Sequence, residues 1–246
     1  MSLPIASNAA TDALAPTGTL RAGINLSNNL LVTDRDDAGN PVGVSPDMAR
    51  SLSRQLGVGL ELIGYPNPGA LTDAATTGAW DIGNVGAAPG RTDVISFTSA
   101  YCEIDCTYLV PAGSRLRSIE DVDRPGVRIA STARTAYDLW LGEHLRHAEL
   151  VRAEGHPAAW EAFVGEGLDA LAGLRSRHVK DAERLAGSRV LEGRFTAVQQ
   201  AIGTPHGRDS AGVDYLETFV QAAIADGLVA ELIDRHGVQG LLSVPS

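Results

Sequence analysis

The sequence predicts an α/β protein of two lobes, each with a doubly wound and mainly parallel sheet. Apolar segments of strand and helix spacing alternate as β-α-β-α-β in the first half of the chain. A second alternating set follows after Pro111, and a long amphipathic helix remains at the end. The chain has 246 residues, which is enough for two lobes of about 100 residues each.

The first set of elements has clear boundary signals. Ser45 is placed to cap a helix, Pro46 suits its first turn, and Gly57 ends it. The predicted elements of this half are strands at 18–25 and 58–64, a helix at 45–57, a short helix at 70–77 and a strand around Asp81.

The second set repeats this order and ends in helix. Leu139, Leu141 and Leu145 indicate a helix face directed to a core. The predicted strands are 126–130, 149–151, 168–172, 189–191 and an extended segment at 195–203, and the predicted helices are 135–145, 156–165, 180–186 and 214–236.

Composition limits the partners of the chain. The formal net charge is −10, which argues against binding to nucleic acid or to an anionic membrane surface. The start of the chain has neither the basic segment nor the continuous apolar segment of a secretory signal. We therefore expect a periplasmic protein if a signal has been removed and a cytoplasmic protein otherwise.

Catalytic and metal-binding signatures are weak. Cys102 and Cys106 lie on one extended segment, about 13 Å apart, which is too far for a disulfide. His144 and His147 are spaced for a metal but have no third ligand nearby. No nucleophile elbow, phosphate loop or zinc-protease motif occurs. We expect no cofactor and no metal.

The segment from Asp81 to Tyr101 carries the most information on function. A buried strand ends in Ala88-Pro89-Gly90-Arg91, and the apolar Ile95-Ser96-Phe97 follows at once. A guanidinium is always charged and its fork of donors matches a carboxylate. Arg91 is thus the first candidate ligand residue; a surface ion pair with Asp93 is its structural alternative.

This order of residues resembles the solute-binding proteins of amino-acid ABC transporters, bacterial family 3, which have the type II periplasmic-binding-protein fold. The resemblance extends from about Gly18 to Val238. It implies that the chain crosses twice between lobes and ends in the first. The lobes are then 18–107 with 197–246 and 108–196, and residues 1–17 are expected to be a flexible tail. The resemblance also implies that Arg91 holds the carboxylate of the ligand.

Ligands of open α/β sheets lie beyond the carboxyl ends of the strands. In the first lobe this rule points to Asn84, Asn25 and Asn28. Turn formation is the alternative for the loop asparagines. Tyr101 is a candidate wall of the site, and a core tyrosine is equally common.

In the second lobe the rule points to the loop at 133–135 and to Arg175. Free N–H groups at the start of a helix favour a carboxylate there, and Thr135 could cap the helix or contact the ligand. Arg134 could add a positive contact or point to solvent. By the resemblance, Leu174 falls at or next to the position of an aspartate that holds the α-ammonium of the ligand, so an organic acid or an amino-acid derivative fits better than an ordinary amino acid.

These observations predict a binding protein without catalytic activity for a small anionic or zwitterionic ligand. The resemblance implies an ABC transporter permease as partner, and we expect a monomer. The alternative is a lyase like the cyclohexadienyl dehydratases, which resemble these binding proteins. For that activity Glu103 and Asp105 are the acidic groups placed near a lobe crossing.

Overall fold

The structure, a computed structural model, describes residues 3–245. The chain divides into two compact units, which we call unit 1, Met1–Glu103 with Gln199–Ser246, and unit 2, Ile104–Val198. The sequence placed the divisions at 107/108 and 196/197, close to these positions. In each unit helices pack on a mainly parallel sheet, so the predicted fold class is confirmed.

Helices and strands alternate along most of the chain. The helices are α1 (Asn8–Leu14), α2 (Val44–Leu56), α3 (Pro68–Asp73), α4 (Ala136–His144), α5 (Gly155–Gly165), α6 (Arg175–Ala182), α7 (Ser210–Ala225) and α8 (Leu228–Arg235). The strands are β1 (Thr19–Asn25), β2 (Asp34–Arg35), β3 (Pro41–Val42), β4 (Gly59–Tyr65), β5 (Ile82–Ala87), β6 (Ile95–Phe97), β7 (Cys102–Val110), β8 (Arg128–Thr132), β9 (Glu149–Ala153), β10 (Ala170–Leu174), β11 (Arg189–Val190) and β12 (Thr196–Pro205).

The sheet of unit 1 is centred on β1. This strand pairs in parallel with β4 on one side and with β5 on the other. β12 then pairs antiparallel with β5, and β6 pairs with the end of β12. Trp80, Leu71 and Val85 form an apolar core on the α3 side of the sheet. The carboxyl ends of β1 and β5 therefore meet at the same edge.

The sheet of unit 2 has the order β7-β10-β8-β9. β8 is parallel to both of its neighbours, and β7 is antiparallel to β10. Ile129 packs with Leu141 of α4, whereas Ala130 packs with Phe163 of α5. Because successive strand residues point to opposite faces, these two clusters place helices on both faces of the sheet.

The amino-terminal segment differs from the expected flexible tail. Ser7 accepts a hydrogen bond from the Ala10 N–H and so caps α1, and Leu14 is fully buried. α1 packs on α7, where the Ala13 Cβ lies only 2.8 Å from the place that a Cβ at Gly212 would occupy. The tail prediction is wrong for Asn8–Leu14, because packing stabilises a helix too short to form alone. Residues 1 and 2 lie outside the described part.

Three other boundaries differ from the sequence prediction. The last helix is two helices, since Gly227 adopts a φ of 79° between α7 and α8. α6 begins at Arg175, directly after β10, and not at residue 180. α2 is capped at Gly43 and Ser45 lies inside its first turn. Within residues 3–245, every helix is too short or too polar to span a bilayer.

Candidate functional site

Arg91 lies in the turn that follows β5 in unit 1. The Pro-Gly pair before it forms the turn, in which the Arg91 N–H donates to the Ala88 carbonyl and the Arg91 carbonyl accepts from Val94 and Ile95. Its side chain is buried, at 2% exposure, and Nη1 donates to the Gly86 carbonyl at 2.6 Å. The turn and the Gly86 carbonyl thus hold the Arg91 guanidinium, which is always charged, in one orientation at the carboxyl end of a central strand.

Asn84 and Tyr101 belong to one buried polar cluster on the α2 side of the unit 1 sheet. The Tyr101 hydroxyl is 2.8 Å from Ser45 Oγ and 3.4 Å from Asn84 Oδ1. Asn84 and Tyr101 are 1% and 0% exposed, and within residues 3–245 Asn84 Nδ2 has no hydrogen-bond partner. Burial raises the pKa of Tyr101 well above its usual value, so this hydroxyl is neutral.

The asparagines after β1 support the turn of their own loop. Asn25 Oδ1 accepts from the Ser27 N–H and hydroxyl, at 3.2 and 2.8 Å. Asn28 Oδ1 accepts from the Leu30 N–H at 3.2 Å. Both are Asx-type contacts, in which the side chain binds backbone two residues further on. Contacts of either residue with a ligand stay a prediction.

The loop at 133–135 in unit 2 differs from the expected anion cradle. Its three N–H groups donate within the unit: Ala133 to the Ala153 carbonyl, Arg134 to Asp138 Oδ2 and Thr135 to the Thr132 carbonyl. The expectation that these N–H groups are free is therefore wrong. Thr135 caps α4, since its Oγ1 accepts from the Asp138 N–H at 3.3 Å.

Arg134 has the one positive φ among the non-glycine residues that the structure describes. Its φ is 61°, in the left-handed region that side chains with a Cβ seldom adopt. The hydrogen bond from its N–H to Asp138 holds this conformation. The Arg134 side chain is exposed, so the strained turn presents a guanidinium at the carboxyl end of β8.

Arg175 is engaged with the segment that precedes β12. Its Nη2 donates to the carbonyls of Leu191 and Gly193, and its Nε lies 4.0 Å from Asp105 Oδ2. Leu174 ends β10 and caps α6 without a side-chain hydrogen bond. The position where the family resemblance expects a carboxylate is therefore apolar, and the guanidinium beside it bonds to backbone carbonyls.

The acidic groups near the strands are bonded within their units. Asp81 is fully buried and accepts from Arg21 N, Nε and Nη2 and from Arg208 Nη2, at 2.6 to 3.0 Å. Burial acts to raise the pKa of Asp81, but these bonds outweigh it and lower the pKa. Asp105 pairs with Arg194 at 2.8 Å, and Glu103 accepts from Gln199 at 3.1 Å.

Two residues of these sites were not predicted from the sequence. Asp138 is 2% exposed and binds the Arg134 N–H and Arg152 Nε, both at 2.9 Å. The spacing Thr135-x-x-Asp138 before an apolar run is a capping signal that could have identified it. Ser45 contacts Tyr101 from 56 residues away, and no local pattern indicates such a contact. Residues 3–245 contain no group of three or more side chains arranged to hold a metal ion.

The fold and these strand-end residues define a class of two-unit α/β ligand-binding proteins, and comparison with known proteins agrees. Residues 20–239 match the family described as "Bacterial extracellular solute-binding proteins, family 3". The chain therefore belongs to this family of solute-binding proteins, as the sequence predicted. None of the curated proteins matches the chain.

Solved structures share the fold at low identity. A mutant of ArgBP from T. maritima is 20% identical with a TM-score of 0.71, over 94% of this chain and all of that one. The ancestral amino-acid-binding protein AncCDT-1, a precursor of cyclohexadienyl dehydratase, is 22% identical with a TM-score of 0.71, over 92% and 97%. AbpA from Streptococcus pneumoniae, bound to L-arginine, is 16% identical with a TM-score of 0.70, over 92% and 97%.

Proposed function

We propose that this solute-binding protein takes a small organic acid without a free α-ammonium group, and that Arg91 binds its carboxylate. The single observation that carries the proposal is the fixed, buried guanidinium at the end of β5. A cation already oriented by a carbonyl bond loses little side-chain entropy when it binds an anion, which favours a charge-assisted bidentate contact.

The apolar end of β10 supports this ligand class. An α-ammonium that is removed from water needs a carboxylate partner, and Leu174 cannot supply one. Asp105 already pairs with Arg194. AbpA is bound to L-arginine, which has an α-ammonium group. The ligand proposed for this chain therefore differs in class from that of AbpA. Arg91 is the proposed anchor; Asn84, Asn25, Asn28, Tyr101, Arg134, Thr135 and Arg175 stay predicted contacts.

We propose that ligand binding by this protein serves transport or sensing, and not catalysis. A lyase would need an acid or base that faces its substrate, and the two candidates, Glu103 and Asp105, are held by Gln199 and Arg194. The lyase alternative has one specific support, the likeness to a precursor of cyclohexadienyl dehydratase. Incubation with prephenate or arogenate should leave both compounds unchanged, and turnover of either would favour the lyase.

A thermal-shift screen tests the role of Arg91. Dicarboxylates such as glutarate should raise the Tm of the wild type as their concentration passes Kd. Arg91→Lys keeps the charge but lacks the fork of donors, and should weaken binding at least about tenfold. Arg91→Met should abolish the shift. Circular dichroism shows whether each variant folds, since Arg91 is buried.

Arg54→Ala is the matched control, because Arg54 is an exposed arginine of unit 1 that bonds Ser51 of its own helix. Its ligand-dependent shift should equal that of the wild type. If folded Arg91→Met keeps the full shift, Arg91 is not the anchor.

A further inference from the structure

A groove in unit 2 lies away from the loop at 133–135 of the same unit. It has a volume of about 350 Å³ and is lined by Arg115, Leu116, Asp121, Arg124, Pro125 and Val127. These residues precede β8, whereas the loop at 133–135 follows it. Five strand residues span about 16 Å, so the groove and that loop lie at opposite ends of β8.

The one acidic residue of the groove is already neutralised. Asp121 Oδ2 accepts from the N–H groups of Arg117 and Ser118, at 2.9 and 3.1 Å, and Oδ1 pairs with Arg124. These backbone bonds and the Arg124 charge hold the pKa of Asp121 below its usual range. The carboxylate therefore does not compete for a second cation in the groove.

Arg115 supplies that second cation. It is exposed, and within residues 3–245 its side chain makes no hydrogen bond or ion pair. Arg189 Nη2 donates to the carbonyls of Ser114 and Leu116, on either side of it. Arg189 thus fixes the loop that carries Arg115 and occupies carbonyl oxygens that would repel an anion.

The floor of the groove is apolar. Leu116 and Val127 are 3% and 1% exposed and belong to the main core of unit 2 on the α4 side. Pro125 adds an exposed apolar ring at the rim. A hydrated inorganic anion would form an ion pair with the arginine but would bury no apolar surface. An anion with an apolar body would form the ion pair and also bury apolar surface in the groove.

The charge distribution of the molecule favours an anion here. Unit 2 contains 13 of the 20 Lys and Arg residues and 14 of the 30 Asp and Glu residues, for a net charge of −1. Unit 1 contains the remaining 7 and 16, for a net charge of −9. An anion near the groove therefore meets much less repulsion from unit 2 than it would from unit 1.

We propose that this groove is a second binding site, for an organic carboxylate with an aromatic or branched apolar body. Arg115 binds the carboxylate, and the apolar body packs against the exposed ring of Pro125, with the buried Leu116 and Val127 beneath it. The site is separate from the one proposed for Arg91.

Titration of the ¹⁵N-labelled full chain with benzoate tests the proposal. Amide resonances of residues 115–127 should shift and saturate, with a Kd of about 1 mM for a single exposed charge pair. Benzamide has the same shape without the charge and should bind at least about tenfold more weakly. Arg115→Gln should weaken benzoate binding by a similar factor.

Arg117→Ala is the matched control, since Arg117 is an exposed arginine of the same loop that does not line the groove. It should titrate like the wild type. The proposal is overturned if residues 115–127 show no saturable shift, if benzamide binds as well as benzoate, or if Arg115→Gln changes nothing. A failure of the Arg91 site would appear only in the thermal-shift screen.

Discussion

Asp81 shows at the scale of one residue how a charge is accommodated in the core. It has no exposed surface, yet both of its oxygens are bonded, to Arg21 and to Arg208. Arg208 also donates to the Ala13 carbonyl, so the same cluster holds the end of α1. A buried carboxylate is tolerated only with such pairing.

Asp81→Asn should therefore destabilise the protein by about 2 to 4 kcal/mol, because two partly buried guanidinium groups lose their counter-ion. Urea unfolding measures this change. Asp169→Asn is the control: Asp169 has the corresponding position before β10 and accepts the Arg128 N–H at 2.9 Å. It is half-buried, so its loss should cost only about 1 kcal/mol. Equal costs for the two variants would contradict this account of Asp81.

At the scale of elements, α5 and α6 are joined by a buried polar cluster of His156, His178 and Asp181. His156 Nε2 is 2.9 Å and His178 Nδ1 is 3.9 Å from Asp181 Oδ2, and Arg177 and Arg184 approach Oδ1. Burial, helped by the nearby Arg177 charge, lowers the pKa of His156 to about 4, and burial also lowers the pKa of His178. Both rings are therefore neutral in the folded protein at neutral pH.

This cluster should make the protein less stable in mild acid. An unfolded histidine takes up a proton near pH 6.5, and folded His156 resists protonation down to about pH 4, so stability falls as the pH decreases through this range. The loss should reach about 2 kcal/mol by pH 4. Thermal unfolding from pH 7.5 to 4 measures it, and His156→Gln should flatten the curve. An unchanged curve in that variant would exclude His156 as the source.

The elements also show what sequence can and cannot predict. The alternation of strands and helices along the chain and the turn before Arg91 follow from local patterns, and they were predicted. α1 was missed because its stability comes from packing on α7, far along the chain. The N–H groups at 133–135 were expected to be free, since the sequence does not reveal that Ala153 and Asp138 accept them.

At the scale of the whole molecule, the net negative charge is unevenly divided between the two units. Unit 1 holds most of the net negative charge and also the buried Arg91. Such a background weakens the attraction of an anion from a distance, so the proposed recognition of a carboxylate by Arg91 depends on direct contact with the guanidinium. In the function proposed above, the apolar end of β10 at Leu174 selects acids without an ammonium group, because it offers such a group no carboxylate partner.

Calorimetric titration with glutarate and L-glutamate, which differ only in the α-ammonium group, tests this central claim most directly. The wild type should bind glutarate at least about tenfold more tightly, and Leu174→Asp should reverse the preference by giving the ammonium a carboxylate. Tighter binding of L-glutamate by the wild type, or the same preference in folded Leu174→Asp, would contradict the account.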